Sequence, residues 1–158
     1  MTAEDFYNRG VAYSELGDFQ KALSDYNQAI ALNPNNAEAY NNRGVAYRKL
    51  GGYQTAISDY NQAITLNPNN AEAYLSRGAA YGALGGYQTA ISDYNQAIAL
   101  NPNYAQAYLN RGAVYGMLGD FQKTLSDLQK AENLFQQQGN RVEAQKVLEI
   151  LKQLPSIN

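Results

Sequence analysis

Residues 37–70 read AEAYNNRGVAYRKLGGYQTAISDYNQAITLNPNN, and this unit recurs along the chain at a constant step of 34 residues. The next copy, residues 71–104, is identical to it at 27 of 34 positions. Residues 3–36 precede it, and residues 105–138 follow as a looser copy. A fixed period of this length predicts a stacked-repeat architecture, in which each unit contacts only its neighbours.

Each copy contains two helical patterns. In the second copy, apolar and small residues recur at helical spacing and predict helices from about Glu38 to Leu50 and from about Gln54 to Leu66. Gly51 breaks the chain between them. The Asn-Pro-Asn-Asn run after Leu66 ends the second helix, because proline cannot continue a helix. We therefore predict an all-α fold of stacked antiparallel helix pairs.

The fourth copy departs from this pattern near its end. Gln136 stands where the other copies have proline, so its second helix is expected to run on to about Gln138, where Gly139 stops it. Asn140 then caps a last helix over residues 140–154. The apolar stripe of that helix predicts a cap over the open end of the stack.

These residues resemble the tetratricopeptide repeat family over nearly the whole chain. Seven residue types match the family's offsets in three consecutive copies, and in the second copy they are Tyr40, Gly44, Tyr47, Ala56, Tyr60, Ala63 and Pro68. The resemblance implies a right-handed α-solenoid, an alpha-alpha superhelix, that binds other proteins. The implied repeats and cap are residues 3–36, 37–70, 71–104 and 105–138, followed by 140–154.

One position departs from the family's pattern in every copy, where arginine replaces leucine. An aspartate follows each arginine sixteen residues later, which gives the pairs Arg9 and Asp25, Arg43 and Asp59, Arg77 and Asp93, and Arg111 and Asp127. Because the spacing puts one charge on each helix of a pair, we predict structural ion pairs within or between repeats. The alternative is a row of guanidinium groups that binds an anion.

A glycine repeats in the first helix of every copy, at Gly10, Gly44, Gly78 and Gly112. Glycine inside a helix costs about 1 kcal/mol relative to alanine, so its repetition predicts a close approach of the second helix. The residues expected opposite it are Ala22, Ala56 and Ala90. The 14 tyrosines are interpreted as core residues rather than as a ligand-binding aromatic box.

The composition argues against several functional classes. The chain has no histidine and no cysteine, which removes the commonest general base and the thiolate nucleophile. A net charge of −2 disfavours nucleic-acid binding. No apolar run is long enough to span a membrane, and the N-terminus has no secretory signal. We expect a cytoplasmic non-enzyme without a cofactor or metal, a membrane span or a nucleic-acid partner.

The resemblance also implies that the first helices line a concave, peptide-binding groove, at positions where the copies differ most. The candidate groove residues are Tyr7, Asn8, Asn42, Arg48, Lys49, Leu75, Ala79, Leu109, Asn110, Ala113 and Met117. Asn8, Asn42 and Asn110 form a broken ladder of amides that suits a peptide backbone, although simple solvation is the alternative.

The candidate groove is graded along its length. Its C-terminal half is small and apolar, whereas its N-terminal half contains Arg48 and Lys49. We therefore expect an extended peptide with an apolar anchor in the C-terminal half and a polar or acidic group near these two cations.

The groove residues also indicate which partners are expected. Members of the family that bind chaperones clamp a C-terminal carboxylate at five groove positions, which read Tyr7, Val11, Asn42, Glu72 and Ser76 in this chain. Only the asparagine matches, so heat-shock chaperone tails are not expected partners. The favoured function is an adaptor that binds a protein or peptide. The alternative is a self-associating structural building block that docks through its uncapped N-terminal repeat.

Overall fold

The computed structural model describes residues 1–155, over which the chain forms α-helices and no β-strand. Consecutive helices pack in pairs, and each pair packs on the next to form an all-α helical-repeat superhelix, which confirms the predicted fold class. In chain order, the helices of this part are α1 (Ala3–Glu15), α2 (Phe19–Leu32), α3 (Ala37–Lys49), α4 (Tyr53–Leu66), α5 (Ala71–Ala83), α6 (Tyr87–Leu100), α7 (Ala105–Met117), α8 (Phe121–Gln137) and α9 (Arg141–Gln153).

The turn inside each pair uses a glycine in a left-handed conformation. Gly17, Gly51, Gly85 and Gly119 have φ angles between 78° and 83°. Residues with a Cβ rarely adopt this conformation, so glycine ends the first helix and lets the chain reverse. The helices of the second copy begin one residue before the predicted starts, and the first of them ends at Lys49.

Asparagines begin the first helices of the middle repeats. The side-chain oxygens of Asn36 and Asn70 accept hydrogen bonds from the backbone N–H groups of Ala39 and Ala73, both at 3.1 Å. Asn140 caps α9 in the same way, at 3.2 Å. These bonds satisfy N–H groups that have no acceptor inside the helix.

Within a pair, the repeated glycine of the first helix faces a buried tyrosine ring of the second. A Cβ on any of three glycines would lie 2.7 Å from a ring carbon, and the pairs are Gly10 and Tyr26, Gly44 and Tyr60, and Gly78 and Tyr94. The ring, rather than an alanine, is therefore what requires glycine. An alanine lies opposite Gly78 as expected, since a Cβ there would also lie 3.2 Å from the carbonyl oxygen of Ala90.

The tenth position of each copy forms the contact between neighbouring repeats. Ala46, Ala80 and Val114 are buried, and each packs into the core of the preceding helix pair. The equivalent Ala12 is exposed, because no helix of the described chain covers α1 as α2 covers α3.

The C-terminal end of the stack has its own core. Helix α8 has 17 residues where the other second helices have 14, and Gly139, with a φ of 74°, ends it. Helix α9 buries Ala144 and Val147 against Leu134 and Phe135. No helix within residues 1–155 is both long and apolar enough to cross a membrane.

Candidate functional site

The arginine that repeats in every first helix is bonded to the aspartate of its own repeat. Nε and Nη2 donate to the two carboxylate oxygens at 2.6 to 2.9 Å in all four copies. The aspartates are buried, and this two-pronged geometry satisfies their acceptors. We call the four arginines the arginine ladder, and its members are Arg9, Arg43, Arg77 and Arg111.

Three members of the arginine ladder also bond to the repeat before their own. Their Nη1 atoms donate to an asparagine side chain at 2.7 to 2.9 Å, and the pairs are Arg43 and Asn27, Arg77 and Asn61, and Arg111 and Asn95. These asparagines were not predicted, although they repeat at the same 34-residue step. Because the carboxylate and the amide occupy three nitrogens of each guanidinium, this row is poorly suited to bind an anion.

A cavity of about 530 Å³ opens on the face formed by the first helices, between α3, α5, α6 and α7. It brings together six of the predicted groove residues, which are Arg48, Leu75, Ala79, Asn110, Ala113 and Met117. The remaining lining residues are Ser76, Gly82, Tyr87, Tyr94, Gln106 and Val114. Concave cavities of this size, with mostly apolar walls and a few polar groups, are typical of binding sites.

The cavity exists because the twelfth position of the repeat varies. That position lies over the tyrosine of the second helix, since the Oγ of Ser14 lies 3.2 Å from the hydroxyl of Tyr26. In the third copy the position is Gly82, and a Cβ there would come no closer than 3.9 Å to any neighbour, the Tyr94 hydroxyl included. A missing side chain thus opens a path to Tyr94.

Arg48 occupies this twelfth position in the second copy and reaches the cavity from α3. It is the one charged side chain among the residues that line the cavity in the described chain. No ion pair within residues 1–155 includes it. Its Nε is buried without a hydrogen-bond partner there, so the other guanidinium nitrogens are the candidates for contact with a ligand. The Tyr60 hydroxyl interacts with Arg48 and is fully buried outside the cavity lining.

Burial controls the ionisation of the tyrosines beneath the cavity. It raises the pKa of Tyr94 to about 12, with the charge of Asp93 adding to the rise and Arg48 and Asn110 opposing it. Burial also raises the pKa of Tyr60, and the positive charge of Arg48 opposes that rise. Both hydroxyls therefore stay protonated at neutral pH and can donate hydrogen bonds.

The N-terminal part of the groove is closed by side chains that bond to one another. The amide of Asn42 donates to the hydroxyl of Tyr7 at 3.1 Å, and that hydroxyl donates to Glu38 at 3.3 Å. Burial, together with the charge of Glu38, raises the pKa of Tyr7 to about 12. Asn8 is exposed beside Tyr7 in a separate depression. The three predicted amides therefore do not share one site.

Besides Tyr7, Asn8 and Asn42, two further predicted groove residues lie outside the cavity. Lys49 is exposed at the end of α3 and does not line it. Leu109 packs against the C-terminal core that α8 and α9 form. Tyr87 and Tyr94 line the cavity, although the tyrosines were interpreted from the sequence as core residues, and Val114 lines it without having been predicted. Glycine at the twelfth position was the available signal, because it uncovers the tyrosine below.

Residues 1–155 contain no cluster of three or more histidine, cysteine or acidic side chains that would hold a metal ion.

A protein-family model described as "TPR repeat" matches residues 10–51, 46–85 and 83–119 of this chain. No curated protein matches the sequence.

Solved structures with the same fold cover most of this chain. The first TPR of Spaghetti (RPAP3), bound to the HSP90 peptide SRMEEVD, has 30% identity and a TM-score of 0.73, covering 75% of this chain and 94% of its own. The second TPR domain of human RPAP3, in complex with the HSP70 peptide SGPTIEEVD, has 30% identity and a TM-score of 0.68, covering 71% and 93%. MamA has 26% identity and a TM-score of 0.74, covering 99% and 98%.

Proposed function

Since the chain belongs to the tetratricopeptide repeat family, we propose that it is a protein-interaction module that holds an extended segment of a partner in the groove of its first helices. Two similar structures are of TPR domains with bound peptides, which supports a peptide as the ligand. Stacked repeats present such a groove as one continuous surface.

The cavity between α5 and α7 is the observation that carries this proposal. Its walls are apolar at Leu75, Ala79 and Val114, and Met117 at its mouth is 72% exposed. An exposed methionine beside an open apolar cavity adapts to side chains of different shape. A bulky apolar side chain of the partner is the expected anchor.

Amide groups along the same face are suited to the backbone of the bound segment. Asn110 accepts a hydrogen bond from Gln106 at 2.8 Å inside the cavity, and an asparagine amide has donors as well as an acceptor. Asn42 has its amide nitrogen bonded to Tyr7, so its contribution requires a rearrangement of that bond. We therefore assign Asn110 the larger role.

We do not expect the ligand to be a heat-shock chaperone tail, although the two RPAP3 domains bind such peptides. Tyr7 stands at one of the five clamp positions and bonds to Glu38 at the N-terminal end of the groove. Glu72 adds a further negative charge beside them. A tail rich in carboxylates would be repelled there.

The test is a selection from a library of random twelve-residue segments, displayed between two fixed flanking sequences so that neither terminus is free. We expect enriched segments with a common apolar residue, whose affinity falls at least about tenfold in the double variant Ala113→Gln/Met117→Gln. Both residues are exposed, so stability should not change. Val142→Gln, which alters an exposed apolar residue on α9, is the matched control. If no segment is enriched on the wild-type protein, the proposed function is wrong.

Self-association through the N-terminal repeat is a second candidate. The side chain of Arg9 is 48% exposed, against 18–20% for the other ladder arginines, and Ala12 lies exposed beside it. Asp5, however, replaces an alanine that is buried in the later copies. Burying its charge would be costly, which favours the peptide-binding module. Sedimentation over a range of concentrations decides this, because self-association requires the mass to rise and Asp5→Ala to strengthen it.

A further inference from the structure

The charge of Arg48 is left uncompensated on the surface where the partner is proposed to bind. Arg43, five residues earlier on α3, bonds to Asp59 and to Asn27. Arg48 has neither kind of partner: no carboxylate of the described chain lies within ion-pair distance, and its Nε is buried without an acceptor. A guanidinium held in this way has donors available for a ligand.

The surroundings of Arg48 make a negative ligand favourable. The cavity contains no acidic side chain, and its walls are largely apolar. Charge-assisted hydrogen bonds are stronger where water is partly excluded than on an open surface. The hydroxyl of Tyr94, which lines the cavity, remains protonated, so it would donate to a negative group rather than repel it.

We propose that Arg48 binds the side-chain carboxylate of an aspartate or glutamate in the partner segment, while a bulky apolar residue of that segment fills the cavity between Ala79, Gly82 and Ala113. This proposal rests on the proposed function and adds the chemical class of its ligand. The planar guanidinium matches a carboxylate with two parallel hydrogen bonds.

The arrangement of charged side chains around the cavity favours a single carboxylate over other anions. A phosphate group carries nearly two charges and is usually held by several basic side chains, whereas Lys49 lies outside the cavity and Arg48 is alone in it. The acidic side chains Glu38 and Glu72 lie in a separate depression nearer the N-terminus, where they would repel a second carboxylate. One acidic side chain within the segment therefore suits this surface better than an acidic C-terminal tail.

The test compares libraries selected on the wild-type protein, on Arg48→Gln and on Lys49→Gln. Lys49→Gln removes the same charge one residue away, from an exposed side chain outside the cavity, and is the matched control. We expect segments selected on the wild type and on Lys49→Gln to share an acidic residue at a fixed distance from the apolar one. Segments selected on Arg48→Gln should keep the apolar residue and lose the acidic one.

The strength of the contact is then measured with one selected segment, amidated at its C-terminus, and its Glu→Gln or Asp→Asn counterpart. Replacing the carboxylate should weaken binding to the wild type about 10- to 100-fold and change binding to Arg48→Gln by less than about twofold. Equal acidic enrichment on all three proteins would overturn the proposal, as would apolar segments without any acidic preference. Both outcomes leave the proposed groove function intact, whereas the absence of enriched segments on the wild type removes it.

Discussion

Two arginines on α3, five residues apart, have opposite surroundings. Arg43 belongs to the arginine ladder, where its guanidinium joins Asp59 of its own repeat to Asn27 of the repeat before it. Arg48 reaches a cavity shared with α5, α6 and α7 and has no ion-pair partner in the described chain. The first residue repeats every 34 positions, and the second does not. Repetition therefore identifies packing, and its loss identifies the candidate site.

Replacing Arg43 should destabilise the protein far more than replacing Arg48. Arg43→Ala leaves the buried carboxylate of Asp59 without its two hydrogen bonds, and we expect a loss of about 3 kcal/mol in the free energy of unfolding. Arg48→Gln should change it by less than about 0.5 kcal/mol. Urea unfolding followed by circular dichroism gives both values. Equal losses from the two substitutions would contradict the division of roles.

Arg9→Ala is the internal control for that measurement. Arg9 bonds to Asp25 but has no asparagine from a preceding repeat, and its Nη1 faces the sulfur of Met1 at 3.6 Å instead. Its side chain is also more exposed than those of the other members. Its replacement should therefore cost less than that of Arg43.

Two glycines on α5 should also differ in how their replacement by alanine changes stability. Gly78 repeats in every copy, and a Cβ there would lie 2.7 Å from the ring of Tyr94, so Gly78→Ala should cost about 1–3 kcal/mol of stability. Gly82 recurs only as Gly116, and a Cβ there would make ordinary van der Waals contacts at 3.9 to 4.0 Å, so Gly82→Ala should add up to about 1 kcal/mol. Thermal unfolding measures both. The added methyl group of Gly82→Ala should also weaken peptide binding, and unchanged affinity would argue that the segment does not reach this floor.

The ionisation of Tyr94, beneath the cavity, should make the stability of the protein depend on pH. The pKa of Tyr94 is about 12 in the folded chain, and an unfolded tyrosine titrates near 10. The folded protein therefore holds a proton that the unfolded chain loses, and the stability from this group, complete below pH 10, falls as the pH rises towards 12. Between pH 9 and pH 11, Tyr94→Phe should lose about 1 kcal/mol less stability than the wild type. An identical loss in both proteins would place the ionisation elsewhere.

Most of the fold could be predicted from the residues because its determinants are local. Proline, glycine and asparagine at fixed offsets set the helix ends, and the predicted bounds lie within one residue of the observed ones in the second copy. The family offsets then determine how consecutive helices pair. The sixteen-residue spacing of arginine and aspartate works in the same way, because both residues lie on one helix pair.

The candidate site was less accessible to prediction. Six of the eleven predicted groove residues line one cavity, while Leu109 packs against the C-terminal core and Lys49 is exposed outside the cavity. Whether a side chain on a first helix faces the groove or a neighbouring helix depends on how successive pairs are rotated. That rotation is not encoded in the spacing of any single copy.

The sequence by itself determined the all-α repeat and the positions at which the copies differ. Only the tertiary structure decided that Arg48 of the second copy lines one cavity with Ala113 and Met117 of the fourth, and that Tyr94 lines it too. Residues about 34 or 68 positions apart come together through the stacking of whole helix pairs. Their contacts depend on the packing between repeats, whereas the pattern within a repeat reports only its own two helices.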